Sequence, residues 1–131
     1  MCIFCEIASH NIGAKIVYED EKYLAFLDLT QTTMGHTLVI PKKHSATIYE
    51  LDDDSLDIMK VVKKVSNILK KTFNPIGINI VSNNERPLQS VGHFHIHLIP
   101  RYENDKFDIG FMDNSKVYNL DEVIEKINQN K

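Results

Sequence analysis

The stretch His93-Phe94-His95-Ile96-His97-Leu98-Ile99-Pro100 decides the reading of this 131-residue chain. Histidines stand at every second position, and Phe94, Ile96 and Leu98 between them are apolar. A strict period of two is the pattern of a β-strand with one polar face and one buried face. At about 3.3 Å of rise per residue, the three imidazoles line one face over roughly 13 Å, and the apolar side chains turn to the core. Pro100 has no N–H for a ladder and is expected to end the strand. Imidazole serves as nucleophile, general acid or base, or metal ligand. The plain alternative is a polar strand face that happens to be rich in histidine. Strict alternation against a wholly apolar opposite face is hard to obtain from packing alone.

The length suits one domain with a single core. Hydrophobic residues make up 43% of the chain and charged residues 25%, a globular balance. A formal net charge of -3 gives no general attraction for nucleic acid or a membrane surface. No apolar run approaches the roughly 20 residues that span a bilayer. The first residues, Met-Cys-Ile-Phe-Cys, lack the basic and apolar regions of a signal peptide, so a cytoplasmic location is expected.

Both cysteines, Cys2 and Cys5, lie in one C-x-x-C. In a reducing cytosol a structural disulfide across two residues is not expected. Half of a zinc site and a thioredoxin-like redox pair remain. The redox pair normally opens a helix after a strand, and no strand fits before Cys2, so metal is the preferred reading.

The rest of the chain surrounds the histidine stretch with further strands and one helix. Lys15–Glu19 and Tyr23–Asp28 flank a polar turn and read as a hairpin. Gly35–Pro41 reads as a third strand and Gly77–Ser82 as a fourth. Leu51–Ser55 opens a long helix, in which Ile58, Val61, Val62, Val65, Ile68, Leu69 and Phe73 recur at spacings of three and four. Asn119 caps a short C-terminal helix with Leu120, Val123, Ile124 and Ile127 on one side, over about 119–128. The pattern predicts a single α+β domain over 1–131. Its mainly antiparallel five-stranded sheet has the long helix on the face opposite the histidines. Asp28 ends a strand, which is usual for a turn former and also where a carboxylate would hold sugar hydroxyls.

The alternating His93, His95 and His97 followed by Leu98-Ile99 resemble the motif of the histidine triad (HIT) family. Cys2-Ile3-Phe4-Cys5, Ala25-Phe26-Leu27-Asp28, Gly35-His36-Thr37-Leu38-Val39-Ile40-Pro41-Lys42-Lys43-His44 and Gln89-Ser90-Val91 match other family motifs. The resemblance covers residues 2 to about 101. It implies a hydrolase or transferase that cleaves purine nucleoside phosphoramidates or adenylates at the α-phosphate through a nucleotidyl-histidine. His95 maps to the nucleophile, with His97 and Ser90 assisting at the phosphate. Asp28 maps to the ribose contact. Phe4, Ile7, Ile12, Phe26, Leu29 and Leu38 map to the purine slot. His36 maps to a supporting position near the triad, Asn83 or else Asn84 to the family's loop asparagine, and Gln89 to the loop whose Leu88, Gln89 and Ser90 N–H groups match phosphate-contacting positions. The resemblance also implies structural zinc on Cys2, Cys5, His44 and His93, and a homodimer. A dinucleoside polyphosphate hydrolase of the same family, a metallohydrolase using the triad as ligands, and a binding module with little turnover are the competing readings. The sequence departs from the family at residues 83–89, where the usual glycines are missing and Leu88 stands in place of one.

Overall fold

The computed structural model describes all residues 1–131. Five strands form one antiparallel sheet in the order β1-β2-β3-β5-β4. They are β1 (Ile16–Glu19), β2 (Tyr23–Leu27), β3 (Thr37–Pro41), β4 (Gly77–Val81) and β5 (Ile96–Arg101). Three helices accompany them: α1 (Ile3–Ala8), α2 (Ile58–Phe73) and α3 (Leu120–Asn128). The fold is the α+β architecture expected from the sequence. No helix is long and apolar enough to cross a membrane.

Local chemistry sets the element boundaries. Asp20 closes the β1–β2 hairpin by accepting the N–H groups of Lys22 and Tyr23, each at 2.8 Å. The segment expected to open α2 forms a short 3₁₀ turn instead, Asp53–Ser55, capped by Asp52 accepting the Asp54 N–H at 2.9 Å. The α-helix proper begins at Ile58 and stops at Asn74, which takes a left-handed φ of 47° just before Pro75. Asn119 caps α3 by accepting the N–H groups of Asp121 and Glu122 at 3.0 and 3.2 Å, and every residue of that helix is exposed.

The sheet is covered on both faces. Val39, Phe94, Ile96 and Leu98 pack with Val61, Val62, Val65 and Leu69 of α2. Leu24, Phe26, Leu38 and Ile40 pack on the other face with Phe4, Ile7 and Ala8 of α1. Buried on both sides, β2 and β3 are apolar runs without polar alternation. The triad shares the α1 face, so His93 and His95 are buried and not solvated.

Two details of the histidine stretch differ from expectation. Strand β5 begins at Ile96, so His93 and His95 precede it, in an extended segment held by the Phe94 N–H on Ser45 O at 2.7 Å. Pro100 does not end β5 but lies inside it, paired with Ile78 of β4. The reason is that β3 pairs with β5 only as far as Leu98. Beyond that point β5 has no partner on the β3 side, and a missing N–H there costs little.

Gly35 marks a close approach before β3. Its φ is 92°, and a Cβ there would lie 2.8 Å from Cε2 of Phe73 and 3.4 Å from Pro100. Gly35→Ala is expected to destabilise the protein by about 1–3 kcal/mol through backbone strain and overpacking. Thermal denaturation beside wild type checks this; an unchanged midpoint would contradict it.

Candidate active site

The three triad histidines differ because each ring meets a different partner. His95 Nδ1 lies 2.7 Å from the carbonyl of His93. A carbonyl only accepts, so Nδ1 carries the proton and Nε2 presents its lone pair. Burial pushes the His95 pKa down, against the His93 carbonyl, and keeps the ring neutral. Phe4 stands edge-on to it at 5.1 Å and fixes its plane. The ring is thus held in one tautomer, with a free lone pair on Nε2.

His97 is held the opposite way. The Thr32 N–H donates to His36 Nδ1 at 3.2 Å, which places the His36 proton on Nε2. That Nε2–H donates to His97 Nδ1 at 2.9 Å, so the His97 proton sits on Nε2. His95 therefore offers a lone pair where His97 offers an N–H. Asp28 Oδ2 stands 3.6 Å from His36 Nε2. Burial pushes the Asp28 carboxyl up, but the hydroxyl and N–H of Thr30, at 2.6 and 2.8 Å on Oδ1, prevail and hold it below the usual range. The second carboxylate oxygen is left for another donor.

Burial also lowers His36 and takes His97 from 6.5 down to about 4. On unfolding His97 returns to about 6.5, so between those values the unfolded chain binds the extra proton. Stability is full above about 6.5 and is lost as pH falls through the window, by up to about 1.4 kcal/mol per pH unit for one such group. His97→Gln cannot titrate and is expected to lose less melting temperature than wild type between pH 7 and 5. Equal losses would remove His97 as the sensitive group.

His93 has a third environment. Its Nε2–H donates to Pro41 O at 2.8 Å, which aims the Nδ1 lone pair at three other donors. Cys2 Sγ lies 3.3 Å from that nitrogen, Cys5 Sγ 3.5 Å and His44 Nδ1 3.2 Å. Cys5 Sγ is 3.4 Å from His44 Nδ1. Bonds of about 2.0–2.3 Å in a tetrahedron give donor separations of roughly 3.3–3.8 Å. The four residues could thus hold a metal, and their Cys₂His₂ chemistry suits zinc. Burial, with the neighbouring Cys2 thiol, pushes the Cys5 thiol up to about 11.

A cleft of about 310 Å³ opens in front of His95 and His97. Phe4, Ile7, Phe26 and Leu38 form its buried wall, and Ile12 and Leu29 its exposed rim. Asp28, Ser90, His95 and His97 supply its polar end. Most of the site residues expected from the sequence therefore share one cavity. Ile3, Ala14, Thr30 and Val91 line it too, unanticipated by the sequence reading. For Ile3 the signal was present, since it stands four residues before Ile7 on the α1 helix.

Three expected contacts lie behind the cleft wall. His36 reaches it only through His97. Gln89 is buried, and its amide accepts the Glu85 N–H at 2.9 Å and donates to Ala46 O at 2.6 Å, bracing the loop from within. Asn83 is half-buried and does not line the cleft, and its neighbour Asn84 accepts the Ile48 N–H at 2.7 Å. In the glycine-free loop the positive φ falls on Glu85, at 74°, and not on Leu88. The Leu88 and Gln89 N–H groups both donate to Glu85 O, at 3.1 and 2.9 Å. Of the loop N–H groups expected at a phosphate, only that of Ser90 has no partner in the chain.

A family model described as the HIT domain matches residues 9–104. A crystal structure of a HIT family protein from Bacillus anthracis superposes with a TM-score of 0.90 at 44% identity, covering 98% of this chain and 93% of that one. The adenosine 5'-monophosphoramidase of Schizosaccharomyces pombe is 42% identical over 111 residues, 83% of this chain and 80% of its own. A Zn-bound histidine triad family protein from Mycobacterium smegmatis superposes with a TM-score of 0.75 at 29% identity, covering 99% and 97% of the two chains.

Proposed function

The chain belongs to the HIT domain family, and from that membership we propose that it hydrolyses purine nucleoside 5'-phosphoramidates or adenylates at the α-phosphate. The observation that carries the reading is the pair of opposite tautomers: a lone pair on His95 Nε2 beside an N–H on His97 Nε2, at the polar end of an apolar slot. The phosphoramidase activity of the Schizosaccharomyces pombe relative supports it.

In this mechanism the purine enters between Phe4, Ile7, Phe26 and Leu38, and the free oxygen of Asp28 accepts the ribose hydroxyls. His95 Nε2 attacks phosphorus; the N–P bond forms as the bond to the leaving group breaks. His97 Nε2–H and the Ser90 N–H donate to the phosphoryl oxygens as charge grows on them. The leaving group takes a proton relayed from solvent through the Ser90 hydroxyl. His95 keeps its Nδ1 proton on the His93 carbonyl, which stabilises the cationic nucleotidyl-imidazolium. Water then attacks phosphorus, the N–P bond returns its electron pair to Nε2, and the water's proton leaves by the Ser90 route. The sum is substrate plus water giving the nucleoside monophosphate and the free leaving group.

Cys2, Cys5, His44 and His93 would hold a structural zinc, supported by their separations and by the zinc-bound neighbour. With all four positions filled by protein, such an ion leaves no site for water and serves to fix α1 and the segment before β5. We read the protein further as a cytoplasmic homodimer. Ile76 and Ile80, 70% and 49% exposed at the edge strand β4, support an interface there.

Acid quench during turnover of adenosine 5'-phosphoramidate, followed by intact-mass and peptide analysis, tests the reaction. An AMP-sized adduct on His95 is the expected result. Turnover without an adduct that stops on chelation would favour the triad as ligands of a catalytic metal instead.

A further inference from the structure

We propose that the group displaced from the nucleotide is an anion, received by Arg86 in a second cleft that continues the nucleotide slot past Ser90. The inference rests on the reaction proposed above and names its leaving-group class. The second cleft, about 510 Å³, includes Cys2, His44, Arg86 and Gly92 in its walls and shares Ile3, Ser90 and Val91 with the nucleotide slot. A substituent on a phosphorus at His95 that departs toward Ser90 therefore enters it.

Arg86 is the only charged side chain in that lining, and no carboxylate stands there. Its guanidinium makes no hydrogen bond or ion pair within the chain, in contrast to Arg101, which is bound to Asp105. The loop that presents Arg86 is tied down by hydrogen bonds at both of its ends. Glu85 takes the left-handed turn, its carbonyl accepts two N–H groups, and the buried Gln89 amide bolts the loop to Ala46 O.

That construction explains why a cation is needed. In a glycine-rich phosphate loop the backbone N–H groups themselves face the anion. Here the Leu88 and Gln89 N–H groups are turned inward onto Glu85 O, and of the three residues Leu88, Gln89 and Ser90 only Ser90 keeps a free N–H. Of the loop's residues, those that line the two clefts are Ser90, whose N–H and hydroxyl serve the α-phosphate, and Arg86, whose fork lies beyond them. A planar guanidinium pairs with a carboxylate or a phosphate through two parallel N–H donors. An anionic leaving group, whether an amino-acid carboxylate or a further phosphate, satisfies it; a neutral amine does not.

The test compares three substrates with the same adenosine 5'-phosphoryl group. One carries an amino acid through nitrogen with its carboxylate free, one carries the corresponding carboxamide, and the third is a diadenosine polyphosphate. For wild type, Arg86→Gln and Arg86→Glu, the readout is the ratio of kcat/KM for each anionic substrate to that for the carboxamide. We expect the ratio to fall about 10–100-fold in Arg86→Gln, the usual range for losing a charge-assisted pair, and further in Arg86→Glu. A fall confined to the amino-acid substrate identifies a carboxylate as the anion; one confined to the polyphosphate identifies a phosphate. An unchanged ratio with both anions overturns the role of Arg86 while the reaction itself stands. If wild type neither binds AMP nor forms the His95 adduct, the reaction reading fails and takes this inference with it.

Discussion

In His95→Ala, kcat for hydrolysis of an AMP phosphoramidate is expected to fall by about 10⁴-fold or more, the scale of loss when a nucleophile is removed. The effect should be this large because nothing nearby can substitute. His97 presents an N–H and not a lone pair, since its Nδ1 accepts from His36. His93 turns its Nδ1 toward Cys2, Cys5 and His44, away from the cleft. AMP affinity should change little, because the purine wall of Phe4, Ile7, Phe26 and Leu38 belongs to other elements. Removing a buried ring beside Phe4 leaves a cavity, so His95→Gln serves as a fuller companion variant. It should be as inactive as the alanine variant with less loss of stability. Retention of more than about a hundredth of wild-type turnover in both variants would exclude His95 as the nucleophile. Binding of AMP with neither turnover nor adduct in wild type would leave a nucleotide-binding module.

Loss of the metal donors is the second large effect expected. Purified wild type should carry one zinc per chain, and Cys2→Ser, Cys5→Ser or His44→Ala should carry none. The accompanying destabilisation should be about 3 kcal/mol or more, given how strongly structural zinc couples to folding. In a chain of this size that is on the order of 10 °C in Tm. Helix α1 is the reason. It has only 6 residues, too few to hold a helix by its own hydrogen bonds. Its attachment comes from burial of Phe4, Ile7 and Ala8 and, in the zinc-bound protein, from Cys2 and Cys5 tied to His44 and His93. Because Ile3, Phe4 and Ile7 also line the cleft, AMP affinity should drop in the same variants. Metal analysis and calorimetry with and without chelator decide it. A metal-free wild type whose Tm ignores chelator would reduce the four residues to a thiol–imidazole cluster.

Periodicity and short-range chemistry carried much of this structure in the sequence. Phe94, Ile96 and Leu98 are buried against α2, as a period of two requires, and Ile58, Val61, Val62, Val65 and Leu69 form the inward stripe. Ile68, placed on the same stripe by spacing, is 39% exposed, because it lies at the edge of the face that the sheet covers. The Asp20 turn and the Asn119 cap involve partners two or three residues away and were equally legible. The cluster of Cys2, Cys5, His44 and His93 and the grouping of the cleft residues were legible in another way, through a family resemblance spread over most of the chain.

The sequence by itself determined which residue types carry the chemistry and which side of each element is apolar, since side-chain direction follows from 3.6- and 2-residue periods. Tertiary structure decided which nitrogen of each histidine carries the proton. The His95 tautomer depends on a carbonyl two residues back, but that of His97 depends on His36, 61 residues away, and through it on Thr32. It also decided that α1 buries the histidine face, that Gln89 braces the loop through Ala46 O 43 residues away, and that Pro100 continues a strand whose neighbour has ended. Proton position in a neutral imidazole is set by the partner of the other nitrogen. When that partner comes from a distant strand or loop, no local pattern records it.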